Sequence, residues 1–390
     1  MPTITELTIV EFDHTVTYAY DALGRKLPGS APPTRTTRRF GVRIRTSEGI
    51  EGSYITLWSA PPLATPQVAA LAQAVVGRSL GERELLWDHA NRAQAKSDRI
   101  GYGAIDIALW DAMGKTAGQP ISALLGRYRD RLPAYVSTVG GGHGLGGLAT
   151  PESYRDYAHW CAERGIPGYK IHGPGTGRVR DEIAALRAAA EGSAGRSDVM
   201  TDPGNGLSTL ADALKLGAVC DEVGAFWWED PMRDDARLGH AILRDRVRTP
   251  LLITEFVRGL DQRVELAIAG ATDFLRADPE LDMGITGVMK TAHAAEALGI
   301  DMEVHASGPA QRHCMAAIRN TNYYELGLLD PETGNPLHPP VYADDYAEDV
   351  GSVGTDGCVA VPTGPGLGVT YDWNRILSMN ADSRVFTAHA

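Results

Sequence analysis

Cysteine is scarce in this chain: Cys161, Cys220, Cys314 and Cys358 are the only four among 390 residues, and none stands in CxxC spacing. That argues against a disulfide framework and against a thiolate zinc site, and it predicts a reducing, cytoplasmic compartment. No run of eighteen or more apolar residues occurs, so no membrane-spanning helix is expected. The first fourteen residues (MPTITELTIVEFDH) show no basic region followed by an apolar one, which predicts no secretory leader. Basic residues are outnumbered: Lys and Arg total 37 against 49 Asp and Glu, a net charge of −12. Nucleic acid and anionic membrane surfaces, which demand basic patches, are poor partners for such a chain. HxH pairs are absent, which disfavours a hydrolase barrel built on histidine ligands. What remains is ordinary globular composition, 43% hydrophobic and 22% charged, long enough for two domains.

The first hundred residues read as strands followed by helices. Residues 3–12 alternate as a strand, and 37–45 and 49–57 read as a pair around the turn SEGIEG. The Gly/Pro-rich stretch 21–34 separates them as a loop. Residues 66–95 carry a helical pattern, and 103–117 form an amphipathic helix with Ile105, Leu109, Ala112 and Met113 on one face, stopped by Gly118 and Pro120. After about residue 130 short apolar runs alternate with helical patterns. Candidate strands cover 134–138, 168–172, 198–202, 225–229, 250–254, 272–277, 301–306 and 321–326. Eight strands with intervening helices predict a parallel (β/α) barrel. The glycine-rich GGGHGLGG after the first of them opens no helical pattern and is followed by no ribose-binding acid, so it reads as a loop rather than a nucleotide fingerprint. The turn-rich tail, 331–390, reads as a segment returning to the N-terminal module.

Ionisable residues recur at the ends of these strands: Asp202 (VMTD), Glu229 (FWWE), Glu255 (LLITE), Asp278 (LRAD), His305 (MEVH) and Glu325 (NYYE). Such a rhythm places each at one level, the top face of a barrel, where catalytic groups of this architecture collect. A single carboxylate there is more often a helix cap or a surface ion pair. Three on consecutive strands, Asp202, Glu229 and Glu255, converge among the apolar Phe226, Trp227 and Ile253 and repel unless a cation joins them. An all-oxygen ligand set favours Mg²⁺ over zinc. Lys170 and His172 are two apart on one strand and therefore share a face. Asp278 and His305 fall on neighbouring strands, where a carboxylate that fixes the imidazole tautomer makes an effective acid/base pair. A small-molecule carboxylate held between these two groups would present its α-carbon to both. That arrangement suits abstraction of a proton α to a carboxylate, with the enediolate stabilised by metal and by a donor near Glu325.

The chain resembles the enolase superfamily, mandelate racemase subgroup. The carriers are IDIALWDAMGKTAGQPISALLG (105–126), YKIH (169–172), the acids Asp202, Glu229 and Glu255, the Asp278/His305 pair, Glu325 and PTGPGLGV (362–369). The resemblance implies a modified TIM barrel, (β/α)7β, over residues 131–330. An α+β capping domain would be built from residues 1–130 and the C-terminal segment 331–390. It further implies Mg²⁺ on the three acids, a His305–Asp278 acid/base dyad, Glu325 hydrogen-bonded to a carboxylate or enediolate oxygen, and a homo-oligomer. Two capping loops, 18–34 and 54–62, would close over the substrate, offering Tyr18, Tyr20, Arg25, Lys26 and Trp58. Asn205 and Asp230 lie beside the metal-binding acids and could touch metal water or substrate, Asp230 alternatively capping a turn. One departure matters: the subgroup commonly has Lys-x-Lys on the second barrel strand, and here His172 stands second. Either Lys170 or His172 is then the base on that face. The expected activity is a Mg²⁺-dependent acid-sugar dehydratase giving a 2-keto-3-deoxy acid, with a racemase or epimerase, or a non-catalytic sugar-acid binding protein, as alternatives.

Overall fold

The computed structural model describes residues 1–17, 34–138, 148, 150–329, 334–335 and 337–388. Tyr18, Tyr20, Arg25 and Lys26 of the first expected capping loop lie outside the described residues, as does the whole of the glycine-rich stretch GGGHGLGG after the first barrel strand. The chain opens with β1 (Ile4–Thr17), β2 (Thr34–Thr46) and β3 (Glu51–Ile55), followed by α1 (Pro61–Val75), α2 (Arg83–Ala93), α3 (Tyr102–Ala117) and the short α4 (Ile121–Leu124). Then strand and helix alternate: β4 (Arg131–Thr138), α5 (Pro151–Glu163), β5 (Gly168–His172), α6 (Val179–Ser193), β6 (Asp198–Asp202), α7 (Leu210–Val223), β7 (Trp228–Glu229) and α8 (Arg237–Arg246). The alternation continues through β8 (Leu251–Ile253), α9 (Leu260–Ile268), β9 (Phe274–Ala277), α10 (Gly284–Leu298), β10 (Asp301–Val304), α11 (Pro309–Ala317) and β11 (Tyr324–Leu329). The tail adds β12 (Cys358–Ala360), α12 (Trp373–Ser378) and β13 (Asp382–Thr387).

Strands β4 to β10 pair in chain order and in parallel, and β11 pairs with β4, so seven βα units are closed by an eighth strand. At the remaining seam Met302 N donates to Asn320 O at 2.8 Å, and the buried Glu303 carboxylate accepts from Asn322 N at 3.0 Å. One end of the barrel is filled by aromatic and aliphatic side chains. Tyr135, Met200, Trp227 and Leu252 are fully buried together, with Phe226, Phe274 and Tyr323 packed against them. A second, antiparallel sheet runs β13-β1-β2-β3. Its outer member comes from the C-terminal tail, with Leu7 opposite Phe386, so the two chain ends build one layer. No helix of the described residues is long and apolar enough to cross a membrane.

Two N-terminal expectations need correction. Residues 66–95 are not one helix: α1 begins earlier, at Pro61, and ends at Val75. The backbone then turns at Gly77 (φ +88°) because residues 77–80 pair with the chain start, Ile4 N donating to Arg78 O and Gly77 N to Ile4 O, each at 2.8 Å. The second is α3, which is buried all round from Tyr102 to Gly114 rather than along one stripe. It lies between the antiparallel sheet and α10, and its polar face is satisfied internally. Asp106 accepts from Thr286 N and Oγ1, while Asp111 accepts from Ser53 N, Leu367 N and Lys115 Nζ. A helix whose acids find backbone donors can be covered on both sides without stranding a charge.

The sheet meets this helix backbone to backbone at Gly52. A Cβ there would collide with Ala108 O and Ala112 N, neither of which can swing aside. Gly52→Ala is expected to cost about 1–3 kcal/mol by overpacking. The check is a lower urea midpoint with an unchanged denaturant slope.

Candidate active site

In small parallel barrels the interior is filled in layers of four side chains drawn from alternate strands. Tyr135 (β4), Met200 (β6) and Leu252 (β8) belong to one such layer. Above them, the other four strands contribute Lys170 (β5), Glu229 (β7), Arg276 (β9) and Glu325 (β11), each at most 3% exposed. Opposite charges alternate around this layer. Lys170 Nζ lies 2.7 Å from Glu229, Glu229 lies 2.8 Å from Arg276 Nε, Arg276 lies 2.7 Å from Glu325, and Glu325 lies 3.2 Å from Lys170. The Arg276 Nε–H does not point along the line to Glu229, so that side of the ring is an ion pair rather than a hydrogen bond. Arg276 also donates to Tyr135 Oη at 2.8 Å, which ties the ring to the apolar layer below. Two cations and two anions give the layer no formal net charge.

Asp202, His172, Glu255, Asp278 and His305 come from the same mouth of the barrel, where strands β5, β6, β8, β9 and β10 end. Ligand oxygens of Asp202, Glu229 and Glu255 lie within 4.8 Å of one another. Three hard oxygen donors from three consecutive strands fit a divalent cation such as Mg²⁺. Asp230, next to Glu229, is fully buried, and neither of its carboxylate oxygens has a hydrogen-bond partner among the described residues. Burial, with Glu255, Asp234, Asp202 and Glu229 nearby, pushes its pKa well above the carboxylate range. Burial likewise lifts Glu229, to about 7, although Arg276 and Lys170 act to lower it. Buried acids pushed towards their neutral forms, with other acids close by, mark a place short of positive charge. The metal argument needs one correction, however: the three acids are not bare, because Lys170 Nζ already touches Asp202 (3.3 Å) as well as Glu229.

Lys170 and His172 do share a face, since both reach the same Asp202 oxygen, His172 Nε2 at 3.2 Å. Burial alone would lower the Lys170 pKa, but Glu229 and Glu325 hold it well above its usual value, so Lys170 is a cation here. His172 Nδ1 is 3.0 Å from Thr138 O and 3.1 Å from Ser137 Oγ, which orients the ring. Across the mouth, His305 Nδ1 meets Asp278 Oδ2 at 2.6 Å and its Nε2 faces Glu255 at 3.5 Å. Burial works against a charged imidazole there, yet Glu255, Asp278 and Glu325 outweigh it and raise the pKa to about 9.

Glu325 is reached differently from the sequence expectation. It is the second residue of β11, which runs on to Leu329, and does not end its strand. Its carboxylate still lies in the charged layer, accepting from Ala306 N at 2.8 Å, because strand tilt in a barrel sets height rather than distance from a strand end. Burial would raise its pKa, but Lys170 and Arg276 keep it ionised. Trp58 is half-buried, its ring centroid 5.5 Å from that of His305. Asn205 adopts φ +63° and donates its N–H to Asp230 O at 3.0 Å, and its buried Oδ1 has no partner among the described residues. Tyr20 and Arg25 are outside the described residues. Arg276 was missed by the sequence reading, although the alternation rule used for Lys170 and His172 applies to it: it stands two before Asp278 in LRAD and shares its face. Glu280, two residues beyond Asp278, carried no such signal.

The family described as Enolase C-terminal domain-like matches residues 153–375, and the Mandelate racemase / muconate lactonizing enzyme, N-terminal domain matches residues 29–126. Among solved structures, D-glucarate dehydratase from Agrobacterium tumefaciens, complexed with magnesium, superposes with a TM-score of 0.84 at 32% identity, covering 97% of this chain and 98% of that one. Arabinonate dehydratase of Saccharolobus solfataricus is 27% identical over 297 residues, 74% of this chain and 75% of that protein. D-Galactarolactone cycloisomerase of Agrobacterium fabrum is 26% identical over 344 residues, 84% of this chain and 87% of that protein.

Removing one partner of the His305 pair has a defined pH signature. A histidine with a raised folded pKa contributes stability that is complete below its unfolded value near 6.5 and is lost as pH rises through about 9. Asp278→Asn is therefore expected to lower the His305 titration midpoint measured by NMR on the metal-free protein. Its destabilisation should be largest near pH 6 and shrink towards pH 10 in denaturant melts. A midpoint unchanged from the native chain would contradict this account.

Proposed function

We propose that this chain, which belongs to the enolase superfamily in its mandelate racemase subgroup, is a Mg²⁺-dependent dehydratase of a sugar acid. The observation that carries the reading is the pair of proton-handling groups, Lys170/His172 and His305/Asp278, reached from different strands around one carboxylate triad. The relatives named as dehydratases of sugar acids support the substrate class. Asp202, Glu229 and Glu255 would hold the Mg²⁺, which supplies positive charge to the oxygens of a substrate carboxylate and so lowers the cost of forming an enediolate.

Lys170, held as a cation, is suited to donating to a carboxylate oxygen and unsuited to removing a proton. On that strand the base is then His172. With its Nδ1 directed at Thr138 O, its Nε2 is the atom that takes the α-proton. The electron pair left on the α-carbon forms the carbon–carbon double bond of an enol as the β-carbon–oxygen bond breaks. His305, protonated and oriented through Nδ1 by Asp278, delivers its Nε2 proton to the departing hydroxyl, which leaves as water. Tautomerisation of the enol gives the 2-keto-3-deoxy acid. Arg276 and Glu325 keep the buried ends of Lys170 and Glu229 in place, and Trp58 and Asn205 are the described residues best placed to touch the rest of the sugar.

Incubation of the protein and Mg²⁺ with a panel of aldonic and aldaric acids, read by detection of 2-keto acids, tests the reading. At least one substrate should be dehydrated. No keto acid from any of them, in protein whose melting temperature rises with Mg²⁺, would overturn it. Exchange of the α-proton with deuterated solvent without loss of water would instead indicate racemisation or epimerisation on the same site. Glu229→Gln is expected to abolish the Mg²⁺-dependent rise in melting temperature, since a ligand that no longer binds the folded state no longer stabilises it. For the two histidines, His305→Asn should lose dehydration by at least about a hundredfold, the usual scale of a positioned acid, while α-proton exchange survives. His172→Asn should lose both.

A further inference from the structure

Two residues beyond Asp278, the loop after β9 carries a second buried acid that the reaction above does not use. Glu280 is fully buried, and its two oxygens accept four hydrogen bonds from one segment of the N-terminal region. Tyr54 Oη (2.8 Å) and Leu57 N (2.7 Å) donate to one oxygen, and Trp58 N (2.8 Å) and Ser59 N (3.0 Å) to the other. Three consecutive backbone N–H groups converging on one carboxylate make a docking point that no neutral side chain reproduces. The same loop grips the dyad at its other end. Asp278 Oδ1 accepts from Glu280 N at 2.7 Å, while Asp278 Oδ2 takes the His305 Nδ1–H at 2.6 Å. The circuit closes through the aromatic ring that Glu280 positions, since Trp58 sits 5.5 Å from His305, tilted by 48°. Helix α3 presses on this loop as well: Gly103 lies so near that a Cβ there would collide with the carbonyl oxygens of Pro279 and Glu280.

From this geometry we propose that Glu280 is a positioning residue that seats the 54–59 segment and thereby lays Trp58 over the imidazole of His305. Asp278 then fixes the imidazole from its Nδ1 edge and Trp58 covers its face, both held by one three-residue loop. Seating of the N-terminal segment and completion of the acid group become a single event. Water is kept from the imidazole face when the segment is docked and reaches it when the segment lifts. The proposal rests on the reading of His305 as the acid for its catalytic meaning, but its structural core is measurable without any substrate.

The test is the rate at which diethyl pyrocarbonate modifies His305 in the full chain, followed by mass spectrometry of the peptide that contains it. In the native protein the rate is expected to be slow. Glu280→Gln and Trp58→Ala should each raise it by about tenfold or more, the factor set by the free energy of opening the segment. The double variant should be no faster than the quicker single one, because both substitutions uncover the same face. Tyr54→Phe keeps the carboxylate and removes one of its four bonds, so it should raise the rate by a smaller factor. A native rate in Glu280→Gln alongside a fast Trp58→Ala would overturn the proposal, as would single effects that multiply in the double variant. Should Glu280→Gln fail to fold, Tyr54→Phe carries the test, and a native rate there overturns the proposal. Because no turnover is read, a negative result here is separable from failure of the dehydratase reading. Once a substrate is identified, the expected signature is a fall in kcat with Glu280→Gln that is absent in a Trp58→Ala background.

Discussion

A ring of four alternating charges inside the barrel is the constraint on which the site depends. Lys170, Glu229, Arg276 and Glu325 come from four different strands, and each touches the next. Buried ion pairs contribute little net stability, because desolvation of each charge offsets the attraction between them. What the ring supplies is placement. Any one member removed leaves its two neighbours as uncompensated charges in a water-poor interior, so the four side chains specify one arrangement. The apolar cluster of Tyr135, Met200, Trp227 and Leu252 fills the barrel beneath the ring and keeps water away from that side.

Above this neutral floor, the groups that can exchange protons are arranged so that their environments differ. Lys170 is fixed as a cation by Glu229 and Glu325 and is itself a member of that floor. His305 is raised to about 9, chiefly by Glu255 and Asp278 acting against burial. His172 is oriented at Nδ1 by backbone and hydroxyl oxygens of β4, while its Nε2 lies 3.2 Å from Asp202. Two imidazoles in unlike surroundings suit a reaction with one proton removal and one proton delivery. The acids between them, with Asp230 pushed towards its neutral form, record how much negative charge this mouth holds without a cation.

Much of this was legible in the sequence, for a physical reason. The βα rhythm fixes where strands end, and side-chain alternation fixes which neighbours share a face, so Asp202, Glu229, Glu255, His305 and the Lys170/His172 pair could be grouped without coordinates. Arg276 escaped because an arginine in an apolar strand reads as a side chain that reaches outward for water, whereas its counter-charges lie on strands far away in the sequence. The burial of α3 escaped for a similar reason. Asp106 and Asp111 look like a solvated face until Thr286, Ser53 and Leu367 are seen to supply their donors. Glu325 was misplaced along its strand, since height in a tilted barrel is not a count from the strand end.

The sequence by itself determined the element order, the family resemblance and the residue types at the barrel mouth, because those follow from local periodicity and spacing along one chain. Only the tertiary structure decided which charges neutralise one another, that Asp230 finds no hydrogen-bond partner among the described residues, and that Glu280 reaches across to the segment bearing Trp58. Those are distances between residues tens to hundreds of positions apart. They are set by how strands close and layers stack, and chain periodicity carries no record of them.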